Sequence, residues 1–200
     1  FSFAYVSLSA ATGALLLFGA VQATMIGYGI TRGERLRPAQ TCGLVLALCG
    51  MLGLLLPGFE RPPLHIAIAM LASGLAWGIY SLRGRGSLHP VGETAGNFLR
   101  TVPIALAMSL LTIESARLDS LGIAYAVASG ALASGCGYVV WYAVLPVLKA
   151  SYAATVQLGV PVLAAMAGVV LLGEVLSLHL VLAALAILGG IALVVFKGAR

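Results

Sequence analysis

The sequence predicts an all-α membrane protein, a polytopic transmembrane helix bundle with inverted-topology repeats. Three observations predict it. Of the 200 residues, 61% are hydrophobic and only 8% are charged. The charged residues lie in short gaps between long apolar runs, and one segment near the N-terminus recurs near the C-terminus. Because a soluble domain of this size carries about a quarter charged residues and buries far less apolar surface, the composition fits a lipid bilayer.

Intervals without charge mark the predicted spans, because a charge at the bilayer centre costs about 2.5–3.5 kcal/mol. Residues 1–31 form either one long helix or, as a corner of small residues favours, an N-terminal helix stub, 1–8, and a full span. One other charge-free interval, 101–113, is short, and this segment spans the bilayer only if the Arg100 side chain extends toward the interface. We therefore expect about seven full spans plus the stub, the spans being 9–30, 38–59, 62–82, 96–113, 120–148, 150–173 and 175–196.

The basic residues predict the orientation of these spans. With the loop 31–40 in the cytoplasm, nine of the eleven Lys and Arg residues fall inside, and only Arg61 and Arg117 fall outside. This bias follows the positive-inside rule and predicts a multi-pass protein of the inner or plasma membrane with a cytoplasmic C-terminus. Because the basic residues are spread over loops, the net charge of +5 does not indicate nucleic-acid binding.

An internal repeat appears when the sequence is compared with itself. Gly33-Glu34-Arg35-Leu36 matches Gly173-Glu174-Val175-Leu176, and an apolar span precedes and follows each turn. The predicted orientation puts the two turns on opposite sides of the membrane, as in inverted-repeat transporters. The two glutamates themselves are expected only to cap helix ends. Residues 1–58 are predicted to be the C-terminal part of a first repeat, and 64–197 a second repeat of five helices.

Short motifs along the chain carry a family resemblance. They are Gly33-Glu34-Arg35-Leu36 with Gly43 and Gly50, Ala76-Trp77-Gly78-Ile79-Tyr80, Gly137-Tyr138-Val139-Val140-Trp141-Tyr142-Ala143, Lys149-Ala150-Ser151, Pro161-Val162, and Leu172-Gly173-Glu174 with Gly190. In this pattern the sequence resembles the drug/metabolite transporter superfamily, in particular the EamA-type permeases. Members usually have ten helices in two inverted repeats of five. The resemblance thus implies an N-terminally incomplete chain that runs from the end of the third helix through the tenth.

The resemblance also implies a function. It implies transport, often export, of a small organic metabolite such as an amino acid, by alternating access around a midplane cavity. The small-molecule solute and membrane lipid are the expected partners, and the oligomeric state stays open. The family's mid-helix proline is present as Pro161 but is replaced by Val21 at the matching place in the first repeat. We therefore expect the first repeat to lack that kink.

No constellation for catalysis or for a cofactor is visible in the sequence. There is no P-loop, and Ser129 and Ser134 lack the glycine of a GxSG serine. All acidic residues lie at or beyond the ends of the predicted spans, which favours a neutral or zwitterionic substrate. We expect no enzyme, no cofactor and no metal. The three cysteines, Cys42, Cys49 and Cys136, are interpreted as unbridged, small buried apolar side chains.

Uncharged polar and aromatic residues at membrane depth are the candidate substrate contacts. Gln157 leads, because Pro161 removes the N–H that would bond its carbonyl oxygen. The alternative is that a neighbouring helix satisfies both the carbonyl and the side chain. The other candidates are Gln22, Asn97, Trp77, Tyr80, Tyr138, Trp141 and Tyr142. For the aromatic residues, a place in the interfacial belt is the alternative.

Glycines and small residues are expected to let helices approach closely. These are Gly130, Ser134, Gly135, Gly137, Gly189 and Gly190. A second function class stays open beside transport: a membrane scaffold without transport activity, or an inactive transporter fragment.

Overall fold

The computed structural model describes residues 8–58, 61–111, 113, 119–173 and 175–196. Within these ranges the ordered elements are helices, and no described residue lies in a strand. Seven helical stretches are long and apolar enough to cross a membrane: Ala10–Thr31, Pro38–Gly58, Leu64–Gly84, Pro90–Leu111, Ser120–Val147, Ala150–Val170 and Leu178–Phe196. The predicted all-α polytopic bundle and the number of seven spans are confirmed. The stub falls almost entirely on residues 1–7, which lie outside the described residues.

Nine α-helices build these spans in the described part of the chain. They are α1 (Ala10–Thr31), α2 (Pro38–Leu55), α3 (Leu64–Gly84), α4 (Pro90–Leu111), α5 (Ser120–Val127), α6 (Gly137–Val144), α7 (Ala150–Gln157), α8 (Gly159–Leu172) and α9 (Leu178–Phe196). A π-helical segment, Ala128–Cys136, joins α5 to α6. Helix α1 begins where the small-residue corner was predicted, because the Ser9 hydroxyl accepts a hydrogen bond from the N–H of Thr12 at 3.3 Å.

The fourth span differs from its prediction. The sequence predicted residues 96–113 with Arg100 near the membrane interface, whereas α4 runs over Pro90–Leu111. Pro90 sets the start, because a proline is favoured in the first helical turn. Arg100 therefore lies in the middle of a 22-residue helix, and Glu93 lies within its first turn. Glu93, expected beyond this span, thus lies at its first turn, still at the end of the helix.

The chain divides into two compact units, residues 1–82 with 149–200, and residues 83–148. In the first unit, α2 and α9 pack as an antiparallel pair along small residues. A Cβ atom on Gly43 would lie 2.7 Å from the Gly190 carbonyl oxygen, and one on Gly50 would lie 2.9 Å from Cγ1 of Ile187. Glycine is therefore required for these two backbones to approach so closely.

The core of this unit forms where α2, α9 and the start of α8 meet. Its fully or nearly buried members are Ala47, Met51, Leu55, Leu158, Val162 and Ile187. Helix α1 lies beside α7 in the same unit, and Gly74 and Gly78 of α3 face Leu17, Ala20 and Thr24 of α1. Small residues on α3 thus bring its backbone close to α1.

A long-range cap fixes the start of α7. Gly33 adopts a left-handed conformation with φ of 79°, which ends α1 and directs the chain toward α7. The Glu34 carboxylate then accepts hydrogen bonds from the N–H groups of Ala150 and Ser151 at 2.9 and 3.0 Å, and from the Ser151 hydroxyl at 2.7 Å. The expectation that Glu34 caps a helix end is confirmed. Glu174 lies outside the described residues.

The second unit contains α4, α5, the π-helical segment and α6. The small residues that were expected to promote close helix packing, Gly130, Gly135 and Gly137, meet no atom of a neighbouring helix within the described part of the chain. They instead belong to, or border, the π-helical segment. Of the glycines named for packing, Gly190 is the one that makes the close helix–helix approach.

The three cysteines are free, as expected, but the expectation that they are buried is wrong. Cys42, Cys49 and Cys136 are exposed on faces that the described residues leave uncovered. An apolar run identifies membrane depth and does not distinguish a helix face toward a neighbour from one toward lipid.

Candidate substrate site

The span that contains Gln157 is interrupted at the predicted place. Helix α7 ends at Gln157, Leu158 lies between the helices, and α8 begins at Gly159. Pro161 is the third residue of α8 and has no N–H to offer the Gln157 carbonyl, so a continuous helix loses one hydrogen bond there. The break lies inside the 21-residue apolar stretch Ala150–Val170.

The Gln157 side chain is 5% exposed and has partners on both halves of its amide. Its Oε1 accepts a hydrogen bond from the indole N–H of Trp77 on α3. Its Nε2 lies 3.1 Å from the Met25 sulfur on α1 and 3.4 Å from the Ala153 carbonyl. Neighbouring helices therefore satisfy this amide in the described structure, which was the alternative that the sequence left open.

Gln22 lies on α1 one turn before Met25 and is also buried, at 4% exposure. Its Nε2 donates to the Ala154 carbonyl of α7 at 2.8 Å. Its Oε1 has no hydrogen-bond partner among the described residues. A buried acceptor left unpaired costs about 1–3 kcal/mol, so this oxygen is a strong candidate for a ligand contact.

Trp77 and Tyr80 lie one turn apart on α3. Their ring centroids are 6.5 Å apart with an interplanar angle of 43°, and both residues are half-buried. Trp77 and Met25 thus contact Gln157 directly, Tyr80 joins them through the Trp77 ring, and Gln22 lies in the same unit with its bond to Ala154. Sequence reasoning missed Met25, because nothing in an apolar run distinguishes a sulfur that contacts an amide from ordinary core packing.

The remaining candidates lie in the second unit. Tyr138 meets Phe98 edge to face with centroids 5.8 Å apart, Trp141 is half-buried, and Tyr142 is 2% exposed with its ring against Gly84. Asn97 accepts a hydrogen bond from Nη1 of Arg100 at 3.3 Å. Tyr138 and Trp141 share a helix face with Tyr142, which fills the space that the missing side chain of Gly84 leaves.

A shallow cavity of about 430 Å³ lies along α4 in the second unit. Its lining consists of His89, Gly92, Glu93, Gly96, Asn97 and Arg100. Asn97 is the one sequence-predicted site residue among them. The described residues contain no group of three or more His, Cys, Asp or Glu side chains that could hold a metal ion.

Comparisons with known proteins agree with this architecture. The profile of the EamA-like transporter family matches residues 64–196. A solved crystal structure superposes with a TM-score of 0.83 at 24% identity and covers 98% of this chain and 71% of that chain, which shows a shared fold.

Two curated relatives are longer than the chain. An uncharacterised protein of Pseudomonas aeruginosa is 57% identical over 194 residues, which are 97% of this chain and 68% of that protein. The uncharacterised transporter YoaV of Bacillus subtilis is 27% identical over 178 residues, which are 84% of this chain and 60% of that protein. With the family profile covering two thirds of its residues, the chain belongs to the EamA-like transporter family of membrane transporters.

Proposed function

We propose that the protein exports a small organic metabolite, such as an amino acid, by alternating access around a cavity near the membrane midplane. The observation that carries this proposal is the interrupted span at Gln157. It leaves backbone and side-chain polar groups inside an apolar stretch, and the buried Gln22 Oε1 nearby lacks a partner among the described residues. Interrupted helices at membrane depth are tolerated where they are covered by protein or line a cavity, and transporters use them to bind substrate.

The breakpoint explains how substrate exchange works in this proposal. The Trp77 indole and the Met25 sulfur engage the Gln157 amide in the described conformation. A substrate with two donors and one acceptor replaces the Trp77 donor and the Met25 acceptor and donates a further hydrogen bond to Gln22 Oε1. Because such exchanged hydrogen bonds differ little in energy, the site switches between an occupied and a self-satisfied state at low cost.

The register of the two repeated segments supports the inverted-repeat mechanism. The two glycines with positive φ among the described residues are Gly33 at 79° and Gly173 at 69°, which are the matching glycines of the repeat. The same register matches Ala10 and Pro38, the first residues of α1 and α2, to Ala150 and Leu178, the first residues of α7 and α9. The two segments thus agree in where their helices begin and in the turn that joins them.

The α2–α9 contacts follow the same register. An added Cβ on Gly190 would lie 2.8 Å from that of Ala47, and one on Gly50 would lie 2.9 Å from Cγ1 of Ile187. Gly190 matches Gly50 in the repeat and Ile187 matches Ala47, so each contact is the counterpart of the other. An antiparallel helix pair with exchanged contacts is what a two-fold axis between inverted repeats requires, and it supports rocking of one repeat against the other.

An efflux experiment tests the proposal. Cells that make the full-length protein are compared with cells that make Gln157→Ala, and metabolites in the medium are measured without preselection. We expect at least one compound to accumulate with the wild type and to fall with Gln157→Ala at equal membrane abundance. Gln40→Ala is the matched control, because Gln40 is equally buried but bonds Tyr152 and the Val194 carbonyl away from the break. An unchanged medium in both strains contradicts export.

The orientation is tested separately. Reporter domains fused after the loop 31–40 and at the C-terminus are expected to be active on the cytoplasmic side in both positions. Opposite reporter sides at the two positions contradict the proposed topology.

A further inference from the structure

A polar face runs along the N-terminal half of α4. It is formed by His89, Gly92, Glu93, Gly96, Asn97 and Arg100, whose spacing of three and one residues puts them on one side of the helix. These residues line the cavity of about 430 Å³. Two of the positions are glycines and place no side chain in this cavity, so the charged side chains lie around an open space.

Arg100 is the group that most needs explanation. It lies at the middle of α4, within a candidate membrane span, where a charged side chain costs free energy and usually marks a functional path. Its Nη1 donates to the Asn97 Oδ1 at 3.3 Å, and this bond uses one of the five N–H donors of the guanidinium. The described residues supply no carboxylate within ion-pair distance of Arg100. The remaining donors form a fork that matches a carboxylate.

Glu93 lies on the same face, seven residues before Arg100. Seven residues separate their two Cα atoms by about 10.5 Å along the helix axis, and the Arg100 guanidinium folds back toward Gly96, where its Nη1 would lie 3.6 Å from an added Cβ, so the two charged groups flank the glycine positions. A ligand with only a negative charge is repelled by Glu93, and a ligand with only a positive charge is repelled by Arg100. The two charges together favour a molecule that carries both.

We propose that the polar face of α4 binds a zwitterionic amino acid, with its carboxylate on Arg100 and Asn97 and its ammonium group on Glu93. The inference rests on the transport proposed above, for which it names the substrate class. Helix α4 begins at the cytoplasmic side in the predicted orientation, so this face lies where an exported substrate enters. Arg100 then selects for the carboxylate, and Glu93 selects for the ammonium group.

Binding to the purified full-length protein in detergent tests the inference. Each standard amino acid is added singly, and the thermal unfolding midpoint is recorded. For every amino acid that raises the midpoint, the deaminated carboxylic acid and the decarboxylated amine are tested beside it. We expect at least one amino acid to stabilise the wild type and both singly charged analogues to bind at least about tenfold more weakly, since each loses a charge-assisted hydrogen-bond pair.

Variants separate binding from folding. Arg100→Gln is expected to weaken the amino acid at least about tenfold, and Arg100→Lys to weaken it less, because the charge remains while the fork is lost. Glu93→Gln is expected to weaken the amino acid but to improve binding of the deaminated acid, a reversal that loss of structure does not produce. Arg83→Gln is the matched control, because Arg83 is an exposed arginine in the last turn of α3, outside the cavity.

Three results of the binding experiment overturn the inference: stabilisation by no amino acid, equal binding by Arg100→Gln and Arg83→Gln, or stabilisation by phosphatidylethanolamine alone. The second result makes Arg100 an interfacial anchor, and the third makes the face a lipid site. Binding without transport in proteoliposomes contradicts the proposed function and leaves this site standing. Transport that is unchanged in Arg100→Gln contradicts this site and leaves the proposed function standing.

Discussion

Helix α1 and the pair α7–α8 begin at matching places in the repeat and run for nearly the same length, yet one is continuous and the other is interrupted. Helix α1 extends unbroken through 22 residues, with Val21 fully buried in its middle. Its counterpart stops at Gln157 and resumes at Gly159, with Pro161 in the position that Val21 occupies in α1. The apolar composition of the two segments is alike, so one residue type accounts for the difference in backbone continuity.

The starts of the two segments differ as well. Helix α1 is capped locally by Ser9, whereas α7 has no side-chain cap of its own and receives the Glu34 carboxylate from the turn after α1. Gly29 makes this possible, since a Cβ there would lie 2.7 Å from Glu34 Oε2. The interrupted segment is thus tied at its start to the continuous one, which positions Gln157 against α1 and α3.

The largest effect is expected from moving the break into α1. Val21→Pro removes a helical hydrogen bond and places a ring against the preceding turn, in a segment that is packed as an unbroken helix. We expect a loss of about 3 kcal/mol or more in the free energy of unfolding, measured in mixed micelles with increasing SDS. Val21→Ala is the control for lost packing, and equal stability of the two variants contradicts a continuous α1.

Removal of the long-range cap ranks second. Glu34→Gln keeps the shape of the side chain but leaves one acceptor oxygen, so that one of the N–H groups of Ala150 and Ser151 faces an amide NH2 and the other donates to a neutral oxygen. We expect it to lower the free energy of unfolding by about 2 kcal/mol, against about 1 kcal/mol for Ser9→Ala at the start of α1. The same unfolding titration measures both variants. A larger loss of unfolding free energy for Ser9→Ala than for Glu34→Gln contradicts the claim that the Glu34 cap stabilises the start of α7 more than Ser9 stabilises the start of α1.

The paired glycines of α2 and α9 give the third effect. Gly190→Ala places a Cβ 2.7 Å from the Ala47 backbone nitrogen, and we expect it to destabilise the protein by about 1–3 kcal/mol. Gly50→Ala is expected to cost less, because its nearest neighbour is a side-chain atom at 2.9 Å. In Gly189→Ala the added Cβ meets nothing within 4 Å, so this control is expected to be neutral or slightly stabilising. Equal effects of Gly189→Ala and Gly190→Ala rule out the close approach.

The smallest effect on stability is expected at Gln22. Gln22→Leu removes the bond to the Ala154 carbonyl but also removes the buried oxygen that has no partner among the described residues. Because these two contributions oppose each other, we expect less than about 1 kcal/mol change in the free energy of unfolding. Efflux of the exported metabolite is nevertheless expected to fall. Normal efflux by Gln22→Leu contradicts a role for Gln22 as a substrate contact.

The fold was predictable from the sequence because charge spacing and span length are one-dimensional signals. Pro161 and Val21 likewise predicted which segment is interrupted. The start of α4 was missed because its first turns are polar, and an argument from hydropathy leaves polar residues out of a span. Pro90 and the glycines and small residues after it are nevertheless helical. Arg100 and Glu93 were consequently placed at the edge of the predicted span or beyond it.

Side-chain partners were the part that the sequence did not predict. Gln157 and Trp77 were both named as candidates, but their pairing depends on how α3 packs beside α7, which no local pattern encodes. Met25 was missed for the same reason, and so was the contact of Glu34 with the distant start of α7. Membrane helices pack by close contacts of small residues, and these contacts are visible only in three dimensions.

The most direct test of the central claim is the accessibility of position 157 from the two sides of the membrane. Gln157→Cys is placed in the full-length protein after Cys42, Cys49 and Cys136 are changed to serine, and a membrane-impermeant thiol reagent is applied to right-side-out and inside-out vesicles. The account predicts labelling from both sides. Labelling from neither side, or from one side only, contradicts alternating access around the break at Gln157.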